Sequence, residues 1–143
     1  MFITTKRHNA FKLKDFRGVN LDFIARLEAH IIKNAEQMLA AGHTRDLRAT
    51  QSKETGIPEN VILELVKLSD LARLPGVKGV RARLYYNAGV DSVEKMAQWN
   101  PEALLVMMAE YVERTGFDGI PPLPKEVSST IANARNLPKV VEN

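Results

Sequence analysis

With 143 residues, 45% hydrophobic and 26% charged, the chain has the size and balance of one globular domain that buries a core without staples. It has no cysteine, which excludes disulfides, thiolate metal sites and a cysteine nucleophile. No apolar run reaches the length of a signal-peptide core or a membrane span, which points to a cytoplasmic protein. The net charge of +3 is unevenly spread. Lys6, Arg7, Lys12, Lys14 and Arg17 against Asp15 give residues 1–20 a charge of +4. Arg73, Lys78, Arg81 and Arg83 give residues 71–90 another +4, and the remainder sums to −5. Such a distribution is either an electrostatic footprint for a polyanion or an ordinary spread of surface cations.

Helix signals dominate, taken in chain order. Gly18-Val19-Asn20 reads as a weak glycine turn. Thr44 with Asp46 opens a helix that ends near Thr55-Gly56. Pro58 sits in the first turn of the next helix, where its missing N–H costs nothing, and the apolar spacing carries that helix to about Leu74. Leu74 to Gly89, LPGVKGVRARLYYNAG, then reads as a helix, a tight Pro-Gly-Val turn and a second helix whose small Ala82 follows Gly76 by six positions. Asp91 with Glu94 resembles a capping box, and Asn100-Pro101 caps and opens a longer helix. Ile120-Pro121-Pro122-Leu123-Pro124 is extended, and Lys125 to Arg135 is the last helix.

An internal repeat links these pieces. Ala25-Arg26-Leu27 matches Ala82-Arg83-Leu84, Glu36-Gln37-Met38 matches Glu94-Lys95-Met96, and Lys53 to Ile57 matches Glu113 to Phe117, at offsets of 57, 58 and 60 residues. The expected architecture is therefore all-α, with eight or nine helices. Two hairpin units, 11–74 and 58–137, share the helix 58–74 and fuse into a single compact domain over 1–143.

The stretch LVKLSDLARLPGVKGVRARLYYNAGVDSVEKMA resembles the bacterial family called domain of unknown function 4332, and the likeness extends over almost the whole chain. More broadly, leucine, Pro-Gly-Val, Ala-x-x-Leu and Ala-Gly-Val before a capped helix is similar to tandem helix-hairpin-helix (SAM-like) domains. Those occur in DNA-repair proteins, recombinases and the RNA polymerase alpha subunit. What the resemblance implies is mostly architecture, since the family carries no assigned activity, and its hairpin relatives either hold a DNA backbone or serve structural and protein-binding roles. This chain departs from the usual Gly-x-Gly: the next glycine after Gly76 is displaced to Gly79, and the first hairpin has no second glycine at all.

The chemistry legible in the residues centres on the second hairpin. Amides at Lys78, Gly79 and Val80 stand at a helix N-terminus, where anions bind, and Gly76 and Val77 form the turn beside them. Lys78, Arg81 and Arg83 supply charge. Together they are the candidate nucleic-acid-binding residues. Contact with roughly 3–5 phosphates predicts sequence-indifferent binding with a salt slope of about −3 to −4. The alternative is a protein-interaction or assembly module in which the hairpins are purely structural. Adjacent residues point about 100° apart on a helix, so Tyr85 and Tyr86 form no stacking platform. A core role for one and a cation–π pair with Arg81 for Tyr85 are expected instead. His8, His30 and His43 have no metal-ligand spacing, and no nucleophile elbow or phosphate loop is present. Neither catalysis, nor a cofactor, nor a small-molecule substrate, nor a membrane partner is expected. Asp70 is expected in a surface ion pair with Arg73 or Lys67.

Overall fold

In a computed structural model that describes residues 11–143, capping chemistry partitions those described residues into eight helices. They are α1 (Leu21–Ala29), α2 (Ala35–Gly42), α3 (Arg45–Thr55), α4 (Glu59–Leu71), α5 (Gly79–Asn87), α6 (Val93–Gln98), α7 (Pro101–Thr115) and α8 (Pro124–Arg135). Among the described residues a 3-10 turn, Leu13–Asp15, precedes them. Among the described residues there is no strand, only an isolated bridge between Lys12 and Asn34. None of the described helices is long and apolar enough to cross a membrane. Lys6, Arg7 and His8 lie outside the described residues.

Side-chain oxygens meet the free amides at most helix starts. Asn20 accepts from Asp22 and Phe23, Asn34 forms a capping box with Gln37, and Thr44 and Asn100 accept from Leu47 and Ala103. Two expectations need correcting. Ser92, not Asp91, caps α6, because Asp91 is turned to Lys67 and Lys95, each at 2.9 Å. And α4 ends at Leu71, after which Arg73 and Leu74 bond back to the carbonyls of Asp70 and Leu71 and tighten the chain before Leu74.

The helix order repeats, and so does its hydrogen bonding. Gly18 (φ 80°) and Gly76 (φ 81°) each stand three residues before a nine-residue helix. At the far ends, Ile32 N–H reaches Leu27 O and Val90 N–H reaches Tyr85 O, both at 2.9 Å, around the left-handed residues Ile31 and Gly89. The hydroxyls of Thr55 and Thr115 both donate to the carbonyl four residues back and accept from the amide two residues on. Gly56 and Gly116 then end α3 and α7 with φ 76° and 71°.

Helix α4 is the central element, packed on α2, α3 and α5. A Cβ at Gly42 would lie 2.7 Å from a Val66 methyl, so glycine is what lets α2 approach α4 so closely. In the second half α8 packs on α6 and α7. The two halves share one continuous core that includes Leu27, Met38, Leu68, Leu84, Met96 and Ile131.

Candidate site at the α4–α5 turn

The turn is built by a proline and a glycine. Val77 N–H bonds Leu74 O at 3.1 Å with Pro75 and Gly76 between them, and Gly76 takes φ 81°, the arrangement of a type II turn. Leu74 and Val77 both face the core, with Val77 only 2% exposed. Helix α5 then starts at Gly79, with Lys78 in the cap position and no side chain accepting from its first amides. Lys78 is exposed and Val80 partly so.

Gly79 packs directly against the segment before α1. A Cβ there would fall on the Asp15 carbonyl oxygen, far inside van der Waals contact, and within 3.2 Å of the Phe11 ring. Its own carbonyl accepts from Arg17 N–H at 3.3 Å. The segment 11–17 therefore lies directly against the start of α5.

The arginines expected to ring the turn point elsewhere. Arg83 is 7% exposed. Its Nε donates to Arg17 O at 2.6 Å, and its Nη1 pairs with Glu64 of α4 at 2.8 Å. The guanidinium lies 5.5 Å from the Tyr86 ring centroid, so the cation–π partner is Arg83 with Tyr86 rather than Arg81 with Tyr85. Arg83 Nη2 finds no partner among the described residues. Gly18 makes room for this bridge, since a Cβ there would come within 3.2 Å of Arg83 Nε. Arg81 grips Glu126 of α8 with Nε at 2.6 Å and Nη2 at 3.2 Å, and donates through Nη1 to Ile120 O. Arg17 pairs with Asp118.

So the seven residues singled out in the sequence do come together in one turn, but they divide by role. Val77 and Gly79 are packed inward, Arg81 and Arg83 brace neighbouring elements, and Gly76, Lys78 and Val80 remain at the surface. The Ile120 carbonyl and the Leu123 amide bond to the Arg81–Glu126 pair, and these two apolar residues are 75% and 65% exposed. Glu64 and Glu126, the acids that take up the arginine charge, carry no local sequence signal, because their partners lie 19 and 45 positions away.

Asp70 is not a surface residue. It is 4% exposed, accepts from Arg73 at 2.8 Å and from the Val93 amide at 3.0 Å, and so caps α6 from α4. Tyr85 is wholly buried and its hydroxyl has no partner among the described residues; burial, aided by the Glu126 charge, pushes its pKa up to about 12. Burial raises the Tyr86 pKa too, with Glu64 and Asp91 adding and Arg83 opposing. For Asp91 burial acts upward, but hydrogen bonds from Lys67 and Lys95 outweigh it and hold the carboxyl below its ordinary value. No group of three histidine or acidic residues among the described ones is placed to hold a metal ion.

Residues 17–137 match the family model described as domain of unknown function (DUF4332). No curated protein and no solved structure matches the chain.

Proposed function

We propose that this chain, which belongs to the DUF4332 family, is a non-catalytic protein-interaction or assembly module in which the glycine turns are structural joints. Residues 11–74 and 58–137 are read as two helix-hairpin-helix units that share α4 and form one domain. Support comes from the repeated glycine turns and helix ends. The observation that carries the reading is the fate of the arginines. A backbone clasp needs cations free to exchange counterions for phosphates, whereas Arg83 is buried on Glu64 and Arg17 O, and Arg81 is held bidentate by Glu126. Apolar Ile120 and Leu123 beside that pair suit a protein surface better than a polyanion.

The test is affinity capture of the folded chain before and after nuclease, followed by reassembly from the purified partner, with light scattering on the chain alone. Association that survives nuclease supports the reading. A chain that stays monomeric and captures no reconstitutable partner overturns it.

A second reading, backbone contact with nucleic acid, is favoured by one feature. The α5 start has no side-chain cap, and the amides of Lys78, Gly79 and Val80 have no acceptor among the described residues, with exposed Lys78 beside them. Its site would be the amides plus Lys78 rather than all seven residues. DNA titration at about 50 mM salt decides it, through a log–log salt slope of about −1, the share of Lys78, and its loss in Lys78→Glu.

A further inference from the structure

After α8 the chain turns back to the first half of the molecule. Arg73, two residues past the end of α4, donates to Pro138 O at 3.0 Å. Val141 is 6% exposed and forms part of the wall of a hollow that Lys67, Asp70, Ser92, Val93, Glu94 and Lys95 also line. Glu142 then reaches the α2–α3 turn and is held on three sides. Its N–H donates to His43 O at 2.8 Å, and its carbonyl accepts from Arg48 Nη2 at 2.5 Å. Its carboxylate Oε1 accepts at 2.8 Å from the Arg45 N–H, the first amide of α3. Arg45 Nε donates to Asn143 O at 2.5 Å.

These contacts form a recognition cradle. It buries one apolar side chain, Val141, beside a hollow lined largely by polar groups, then offers a carbonyl, a guanidinium and a helix N-terminus for the next residue's N–H, C=O and carboxylate. Each recognising group is fixed by the fold independently of residues 138–143. Arg48 is 4% exposed and also holds Gly42 O at 2.8 Å, and Thr44 caps α3 through the Leu47 amide. Charge is matched as well. Burial lowers the Arg48 pKa and the Glu142 carboxylate opposes that shift, while Asp70 at the hollow is already paired with Arg73. The segment buries one valine and is otherwise held by polar bonds, and a stretch without regular structure joins it to α8, the kind of element that opens locally.

We infer that the groove between the α2–α3 turn, α4 and α6 is a docking site for an extended peptide segment of a protein partner that carries an apolar residue followed directly by glutamate. Residues 138–143 occupy it in cis and are displaced by that segment. The inference deepens the protein-interaction reading and rests on it.

The test uses a labelled peptide of sequence PKVVEN and the full chain carrying Val141→Asp with Glu142→Lys, which empties the groove. The peptide is expected to bind this variant at least tenfold more tightly than the unmodified chain, and a peptide with lysine in place of glutamate is expected not to bind. No gain, or equal binding of the lysine peptide, overturns the assignment. If the variant does not fold, the unmodified chain is used. Millimolar peptide, comparable to the effective concentration of a short tether, is then expected to accelerate hydrogen exchange at the Glu142 amide and not at α4. Unchanged exchange overturns it. Failure here alongside intact partner association removes the groove and leaves the protein-interaction reading in place.

Discussion

Two glycines three residues apart in one turn face different demands. Gly76 needs only its left-handed φ, for its Cβ position is open, whereas Gly79 has ordinary helical geometry but no space. Gly76→Ala is therefore expected to cost about 1 kcal/mol, and Gly79→Ala about 3 kcal/mol through overpacking, compared by urea unfolding. Ile31 is the converse case: a β-branched, exposed residue at φ 64° where the second half has Gly89. Ile31→Gly should stabilise the chain by about 1 kcal/mol as strain is relieved. Tyr85 buries a hydroxyl with no described partner, so Tyr85→Phe is expected to be neutral or stabilising by about 1 kcal/mol. Its pH dependence follows. With the folded value near 12 and the ordinary value 10.0, the neutral hydroxyl favours the fold fully below pH 10 and that contribution is lost as pH rises toward 12. The variant should lack that alkaline limb in a pH series of melting temperatures. Sequence exposes the glycine's need for positive φ, since Pro-Gly signals its own turn. The demand at Gly79 comes from Asp15, 64 residues away, and has no local signature.

Elements whose ends are capped by neighbours in sequence were readable, and those capped from a distance were not. Thr44, Asn100 and Gly56 stand where the spacing places them. Helix α6 is different, because its first amide, that of Val93, is met by Asp70 from α4, while its own Ser92 accepts from the Lys95 amide. Asp70→Ala removes that cap and strands Arg73, and should cost about 2–3 kcal/mol, measured by chemical denaturation with loss of α6 protection in hydrogen exchange. The adjacent Asp91 adds an acid-side signature. Its depressed pKa means a contribution fully present above the ordinary carboxylate value of 3.8 and lost as pH falls below it, which Asp91→Asn should flatten in an acid unfolding series.

At the scale of the molecule, the repeat was legible because Thr-Gly recurs and the structure repeats its hydrogen bonds. Ala-Arg-Leu is one residue out of step, since Leu27 O and Tyr85 O, not Leu84 O, accept the equivalent helix-end bonds. The use of the basic residues was not legible, because a sequence gives charge but not the acid it meets. Arg83 joins three elements: α5, α4 through Glu64, and the segment before α1 through Arg17 O. In that account the arginine holds the halves together instead of waiting for a ligand. Reversible urea unfolding of Arg83→Met against the unmodified chain tests it most directly. The account predicts a loss of about 2–3 kcal/mol, the cost of stranding Glu64 and freeing the Arg17 carbonyl. A loss below about 0.5 kcal/mol, the worth of an exposed ion pair, would contradict it.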